Sequence, residues 1–318
     1  MLIYLEPLSI FPELHSDTIF GALTYAIKEL YGEEKVKEML IDFEEKPPFI
    51  LSSTFPYLFK KDINIRFFPK IILNLADGIE KSINDLKEYK KVDFLEEEIF
   101  FKLINGEITE GEIISNISNY HKVKNLLMKE DYDIDIGFSE NIIPNNSINR
   151  FNSETKIFYT SGKEFKNLGL FFIIEFNDEN YKPVIKSAIK FLKDRGFGKD
   201  ISVGKGHFDF TIDEDYSIND FLKNQEDMDF FITLSRYIPS CDEIEEIDES
   251  SSYEIGSKRG MSSQGDIRNQ VRFFKEGSIF PIYKDYYGTI VPSGSESNPA
   301  VEFGFAFPLK CIGNRDNL

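Results

Sequence analysis

The chain has 318 residues, 41% of them hydrophobic, and a formal net charge of −18. Because no apolar run approaches the roughly 20 residues that span a bilayer, and the start lacks a secretory signal, we expect a cytoplasmic protein without a membrane partner. The two cysteines, Cys241 and Cys311, lack the spacing of a disulfide framework or a zinc site, so we expect no metal and no cofactor.

The N-terminal part begins with a predicted strand and a predicted helix. In residues 2–8, successive side chains alternate between two faces in the manner of a strand, and the prolines at positions 7 and 12 bound it. Residues 15–18 offer capping side chains before an apolar stripe with helical spacing that ends near Leu30. The stretch from residue 47 to residue 167 gives no clear pattern, and the form of residues 60–149 stays open.

A strand, a helix and another strand are predicted after that stretch. Residues 168–176 are almost wholly apolar, which indicates a buried central strand. A helical stripe from Pro183 ends at Gly196, and Phe208, Phe210 and Ile212 share one face of a further strand. The order strand, helix, strand, strand, helix, strand is ferredoxin-like. We therefore expect an α+β protein with a first domain at residues 1–212 and a β-rich second domain at 213–318.

A glycine-rich loop, GFGKDISVGKGHFDF at residues 196–210, joins that helix to that strand. Glycines at this density allow positive φ and close approach to a ligand, and Lys199 and Lys205 add positive charge, which suits a phosphate chain. The spacing is not that of a Walker loop or a dinucleotide loop, and the loop follows a helix instead of preceding one. The alternative is that these glycines only reverse the chain direction.

The second half separates its charges. Residues 211–255 contain 14 Asp or Glu and 2 Lys or Arg, whereas residues 258–275 contain 5 Lys or Arg and 1 Asp. Because the local charge sets what a groove attracts, the basic segment could extend the path of a phosphate chain or face an acidic partner. Ordinary solvated faces are the alternative for each of these side chains.

Four stretches of the sequence together resemble the RAMP proteins of CRISPR effector complexes, and most closely the fourth Csm subunit of type III-A systems. These stretches are the opening strand with LHSDTIFGAL; RFNSETKIFYTSG leading into LGLFFIIEF; the glycine-rich loop; and LSRYIP, YEIGSKRG, KEGSIF and EFGFAFPL in the second half. The likeness runs over almost the full length in the family's order, and residues 60–149 carry little of it.

This resemblance implies two ferredoxin-like domains and a non-catalytic role in binding the repeat-derived 5′ tag of CRISPR RNA (crRNA). It also implies contacts with the large polymerase-like Csm subunit and with the backbone RAMP subunit. The residues that it places at the RNA are His15, Ser16, Arg150, Gly196, Phe197, Gly198, Lys199, Ser202, Gly204 and Lys205. The basic segment adds four candidates from its charge: Lys258, Arg259, Arg268 and Arg272.

Two other functions are compatible with the sequence. His15 could be the general base of a metal-independent endoribonuclease that processes repeat RNA. Such chemistry also needs an acid and a cation for the developing charge, and neither His121 nor His207 has a spacing that brings it to His15. The chain could also be a purely architectural bridge. We expect RNA binding and architecture together, without catalysis.

Overall fold

The computed structural model describes residues 1–60, 63–72, 83–148, 151–152, 154–198, 204–261, 267–294 and 300–313. Its helices are α1 (Ser16–Tyr31), α2 (Glu33–Glu45), α3 (Ile83–Lys90), α4 (Glu97–Ile104), α5 (Glu110–Ser115), α6 (Tyr181–Arg195) and α7 (Cys241–Glu245). Its strands are β1 (Leu2–Pro7), β2 (Phe49–Leu51), β3 (Phe55–Lys60), β4 (Ile63–Pro69), β5 (Phe94–Glu96), β6 (His121–Val123), β7 (Leu126–Met128), β8 (Gly137–Ile148), β9 (Thr155–Lys166), β10 (Leu168–Phe176), β11 (Phe208–Asp213), β12 (Phe230–Thr233), β13 (Ile255–Met261), β14 (Ile267–Phe274), β15 (Ile279–Pro281), β16 (Ile290–Pro292), β17 (Val301–Phe303) and β18 (Pro308–Cys311).

The N-terminal part is built around four strands of a larger sheet, in the spatial order β11, β1, β10, β3. All neighbours in this set are antiparallel. The helices α1 and α6 connect these strands and pack against each other, with the rings of Tyr25 and Phe191 in contact. The chain order β1, α1, β3, β10, α6, β11 is therefore the strand and helix order that the sequence predicted.

The stretch without a clear pattern extends this sheet. The strands β4, β5, β7 and β6 follow β3 in that order, with only β5 and β7 parallel, and β2 pairs with the end of β10. A separate hairpin of β8 and β9 leaves the sheet just before β10. Because β5, β6 and β7 have three residues each, their sequences are too short to show a strand period.

The C-terminal part is β-rich, as predicted. A three-stranded sheet has the order β15, β12, β18, and the pairs β13–β14 and β16–β17 form two hairpins. The α+β class is thus confirmed. The prediction of a second ferredoxin-like domain is not, because α7, with five residues, is the one α-helix among the described residues after β11. The division after residue 212 stays a prediction.

Aromatic rings join the two parts. The ring of Phe20 in α1 stacks on Phe303 in β17 at a centroid distance of 4.8 Å. Phe43 and Phe49 surround the same pair, and all four rings are buried. Each such pair adds about 1 kcal/mol beyond its buried area. The start of α1 is therefore held against the C-terminal part.

None of the helices in the described ranges has the length and apolar character needed to cross a membrane.

Candidate nucleic-acid interface

The glycine-rich loop runs from the end of α6 to β11, and its described glycines have positive φ. The φ values are +94° at Gly196, +98° at Gly198, +83° at Gly204 and +73° at Gly206. A Cβ at Gly206 would lie 1.8 Å from the carbonyl oxygen of Phe197, so this glycine is required to close the loop. Gly198 and Gly204 are exposed, as a loop that presents its amides to a ligand requires.

Phe197 and Lys205 differ in their surroundings within this loop. Lys205 is half-buried. Phe197 is 5% exposed, and its ring lies 5.8 Å from that of Phe11 and 5.0 Å from that of Phe208. The ring predicted to touch RNA therefore lies in the core, because an apolar side chain between two other rings gains more from burial than from exposure. Phe197 anchors the loop to the sheet.

The segment of residues 8–15, which connects β1 to α1, lies between the glycine-rich loop and β9. The amide of Gly206 donates to the carbonyl of Ile10 at 2.9 Å, on one side of the segment. On the other side, Phe11 and Lys163 exchange two backbone hydrogen bonds of 2.9 Å. His15 is the last residue of this segment, so the loop contacts the same stretch of chain that ends in His15.

The side chain of His15 is an ionic contact between the two halves of the chain. Its Nδ1 lies 2.8 Å from Oε1 of Glu276, and its Nε2 lies 3.9 Å from Oε2 of Glu13. Burial opposes the charged ring, but the carboxylates of Glu13 and Glu276 outweigh it and raise the pKa of His15 to about 9. At neutral pH the ring is therefore a cation. A general base needs a neutral ring with a pKa near the working pH, so this state disfavours the endoribonuclease alternative.

A small cleft of about 100 Å³ opens beside His15. Its lining includes the charged side chain of Lys163, whose Nζ lies 2.5 Å from Oε1 of Glu13. Most of the other lining residues are apolar and include Pro56, Phe94 and Phe165. The cleft therefore combines charged groups with apolar surface next to His15.

Ser16 is the second predicted RNA contact in this region, and it is fully buried. Its amide donates to Oγ of Ser53 at 2.9 Å, and its own Oγ accepts from the amide of Arg236 at 3.1 Å. A hydroxyl that is buried and already hydrogen-bonded within the protein is not available to a nucleic acid in this conformation. The structure places Ser16 at the contact between α1 and the C-terminal part.

Five charged side chains form a connected group at this contact, which we call the α1 network. Asp17 contacts Arg236 at 3.1 Å and Lys258 at 2.5 Å. Glu302 contacts Lys258 at 2.6 Å and Arg268 at 3.3 Å. The side chains of Asp17 and Glu302 are only 4% and 5% exposed. Burial alone would raise the pKa of Asp17, but the cations Arg236 and Lys258 hold it below its ordinary value.

The α1 network corrects the interpretation of the basic segment. Lys258 and Arg268 compensate buried carboxylates, so their charge is directed into the protein. By contrast, Arg259 and Arg272 are exposed. Arg259 pairs with Gln270 across the hairpin and Arg272 with Ser257, which puts both arginines on the face opposite Lys258. The predicted basic stripe is reduced to these two side chains.

Three predicted contacts, Arg150, Lys199 and Ser202, lie outside the described residues. Sequence reasoning in turn missed Glu276 and Arg236 as members of the site. Both lie in stretches that carry the family resemblance, KEGSIF and LSRYIP. No local signal connects them to His15 and Asp17, because more than 200 residues separate the partners along the chain. In the described part of the chain, no group of His, Cys, Asp or Glu side chains could hold a metal ion.

Comparisons with known sequences give one consistent family. Residues 226–311 match a family model described as the CRISPR Csm4 C-terminal domain. A relative from Methanocaldococcus jannaschii, CRISPR system Cms protein Csm4, is 22% identical over 316 residues, which cover 87% of this chain and 80% of the relative. The Csm4 protein of Thermococcus onnurineus is 22% identical over 301 residues, which cover 92% of this chain and 90% of the relative.

Solved structures of Csm4 chains have the same fold. A chain in a Csm3–Csm4 subcomplex of a type III-A interference complex superposes with a TM-score of 0.69 and 18% identity, covering 98% of this chain and 99% of that chain. A chain in a Csm1–Csm4 cassette with cA4 gives a TM-score of 0.59 and 17% identity, covering 99% and 98%. At these identities the similarity establishes the fold.

Proposed function

Since the resemblance to the fourth Csm subunit is confirmed, in the C-terminal part by a family match and over the whole chain by similarity to Csm4 proteins, we propose that this chain is the Csm4 subunit of a type III-A effector complex. It binds the 5′ tag of crRNA in the cytoplasm and does not cleave it. The observation that carries this proposal is the geometry at residues 8–15. The loop that carries the exposed residues Gly198 and Gly204 is hydrogen-bonded to one side of this segment, and a charged His15 ends it.

Phosphate binding suits this arrangement even though the chain is acidic overall. Amides of glycines with positive φ form concave anion sites, and phosphate contacts fix the position of a nucleic acid without reading its sequence. Gly198, Gly204 and Lys205 would contact the tag from the loop, together with Lys199 and Ser202. Gly196, also predicted as a contact, is buried, and its amide donates to the carbonyl of Leu192 at 2.6 Å, so it shapes the loop instead. Arg259 and Arg272 would extend the path along the β13–β14 hairpin, and Arg150 would lie near it.

A bridging role accompanies RNA binding in this proposal. The similar solved chains were captured with Csm3 in one complex and with Csm1 in another. We infer that this chain contacts a backbone RAMP subunit and a large polymerase-like subunit in the same way. Its acidic segment at residues 242–254, where Asp242, Glu245 and Glu249 are exposed, repels phosphate and suits a basic protein surface.

The test of RNA binding is the double variant Lys199→Ala/Lys205→Ala with an RNA that carries the 5′ tag. Loss of two phosphate contacts should reduce the slope of log affinity against log salt by about 1.4, since each contact to a single strand contributes about 0.7. Fluorescence anisotropy from 50 to 300 mM salt, roughly the range where such slopes are measured, gives this slope. An unchanged slope would remove the loop from the RNA-binding surface.

The double variant Lys35→Ala/Lys37→Ala is a matched control. These lysines lie on α2, and Lys35 contacts the ring of Tyr181, the first residue of α6. The glycine-rich loop follows the other end of α6, about 22 Å away along the helix axis. This variant removes the same charge and should keep the salt slope.

A discrete metal-independent cut in repeat RNA by the unmodified chain would restore the endoribonuclease alternative.

A further inference from the structure

Glu276 is a nearly buried carboxylate in direct contact with His15. It lies in the turn between β14 and β15, and its side chain is 13% exposed. Its Oε1 accepts hydrogen bonds from Nδ1 of His15, at 2.8 Å, and from the hydroxyl of Ser53. The carboxylate thus touches the residue before α1 and the residue that also holds the amide of Ser16.

The backbone around Glu276 is fixed by the residue that follows it. Gly277 has a φ of +90°, and a Cβ there would lie 2.3 Å from the carbonyl oxygen of Lys70. The amide of Gly277 donates to Thr233, and its carbonyl accepts from the amide of Ile72, both at 2.8 Å. Two separate parts of the chain, residues 70–72 and Thr233, therefore hold this turn, so Glu276 reaches His15 from a rigid support.

The charges around His15 leave Glu276 as the carboxylate bonded to its ring. From its own segment Glu13 approaches Nε2 to 3.9 Å, but Lys163 of β9 contacts Glu13 at 2.5 Å. Asp17 of α1 is bound by Arg236 and Lys258 in the α1 network. Among the described residues, the ring makes one hydrogen bond that satisfies distance and angle, the bond from Nδ1 to Glu276. Nε2, which lies 3.9 Å from Glu13, makes no such bond to these residues, and both His15 and Glu13 line the cleft.

We propose that Glu276 is a positioning residue for RNA binding: by holding Nδ1, it turns Nε2 of His15 toward the cleft and keeps the ring a cation that donates a charged N–H to a phosphate of the tag. This inference rests on the proposed function of the chain. A charge-assisted hydrogen bond to phosphate is about twice as strong as a neutral one, so the protonation state of His15 matters for affinity.

The consequence is that RNA affinity should not depend on pH in the neutral range. With Glu276 in place, hydrogen bonding keeps the pKa of His15 at about 9, so the ring stays charged from pH 6 to pH 8. Without the Glu276 carboxylate the ring keeps only Glu13, which Lys163 also contacts, so we expect the pKa of His15 to fall below about 9 toward its ordinary value of about 6.5. RNA affinity should then fall as the pH rises through this lowered pKa.

The experiment compares the unmodified chain with Glu276→Gln, using tag RNA and anisotropy from pH 5.5 to pH 8.5. The unmodified chain should bind with nearly constant affinity between pH 6 and pH 8. Glu276→Gln should match it near pH 5.5 and bind about tenfold more weakly at pH 8, as expected for loss of one charged hydrogen bond. In a His15→Ala background, Glu276→Gln should cause no further loss. The control Glu254→Gln removes an exposed carboxylate that pairs with Lys275 and should change nothing.

The outcomes separate the inference from the proposed function. If the unmodified chain does not bind tag RNA at any pH, the proposed function fails. If it binds but Glu276→Gln keeps the same pH profile, or weakens binding equally at every pH, the positioning role is wrong. An NMR titration of His15 in the unmodified chain tests the same point independently of how the variant folds. A ring that titrates near pH 6.5 would overturn the inference.

Discussion

Lys258 and Arg259 are neighbours in β13 with the same charge, yet they belong to different regions of the molecule. Lys258 points into the α1 network, where it contacts Asp17 and Glu302. Arg259 points to solvent on the face that also carries Arg272. Because side chains alternate along a strand, one basic segment serves both the interior and the surface. A count of charges in sequence therefore overestimates the surface that a phosphate chain can meet.

The two faces should also differ in what their charges contribute to stability. Removing one partner of a buried ion pair leaves an uncompensated charge and costs several kcal/mol, whereas exposed pairs contribute about 0–1 kcal/mol. The α1 network should therefore matter for folding, and the exposed arginines for RNA. Substitutions on each face can test this division.

The largest effect is expected for Glu302→Gln in the α1 network. This change removes the negative charge that both Lys258 and Arg268 contact. The side chain of Glu302 is only 5% exposed, so water cannot replace that charge. We expect the free energy of unfolding to fall by about 3 kcal/mol, measured by urea denaturation. The control is Glu98→Gln, whose partners Lys102 and Lys129 lie at the surface, and its loss should stay below about 1 kcal/mol. Equal losses in both variants would contradict the division.

The pH dependence of stability gives a second, smaller effect at the same end of α1. His15 has a folded pKa of about 9 and an ordinary value of about 6.5, so the folded chain holds more protons between these values. The stabilisation by its contacts with Glu13 and Glu276 is complete below pH 6.5 and is lost as the pH rises through 9. With allowance for solvent screening of a side chain that is 31% exposed, we expect a contribution of about 2 kcal/mol.

This contribution is measured as a difference between the unmodified chain and His15→Gln. Their free energies of unfolding should differ most at pH 6 and converge near pH 10, since the variant cannot bind the extra proton. Using a difference removes the titration of other groups, such as the N-terminal amine, whose pKa is lowered by burial. A difference that stays constant with pH would show that the His15–Glu276 contact carries no charge.

Much of the fold follows from local signals in the sequence. The strand β10 spans the predicted residues, and α6 and β11 begin within two residues of their predicted starts, because continuous apolar character and a helical stripe are read within a few residues. The glycines of the loop likewise adopt the positive φ that their density indicated. By contrast, β5, β6 and β7 are strands because they pair with other strands of the sheet. A sequence of three residues does not indicate such pairing.

The candidate site was less predictable because burial of polar groups depends on distant partners. Ser16 has the sequence signature of a helix start but is enclosed by Ser53 and Arg236. Phe197 stands among exposed glycines, yet Phe11 and Phe208 cover its ring. In each case the deciding neighbour comes from another part of the chain. The local sequence shows which residue types are present. It does not show whether distant residues bury them, and burial decides whether they can contact RNA.

The smallest effect, and the sharpest contrast, is expected from the outward face of β13 and β14. The double variant Arg259→Gln/Arg272→Gln should leave the free energy of unfolding within about 0.5 kcal/mol of the unmodified chain, because both side chains are exposed. If both arginines contact phosphates of the tag, the salt slope of RNA binding should fall by about 1.4.

Lys258→Gln is the matched variant on the inward face, since it removes a neighbouring charge from the same strand. Lys258 is 25% exposed, and Arg236 and Arg268 still contact Asp17 and Glu302 in the variant, so we expect a loss of about 1–2 kcal/mol in stability, between that of an exposed pair and that of a fully buried pair, with an unchanged salt slope. Opposite responses of the two variants would establish that alternation along β13 separates folding from RNA binding. If Lys258→Gln instead lowered the salt slope and kept the stability, Lys258 would leave the α1 network when RNA binds. The inward-facing Lys258 would then bind the nucleic acid in the complex, and Asp17 and Glu302 would need other partners there.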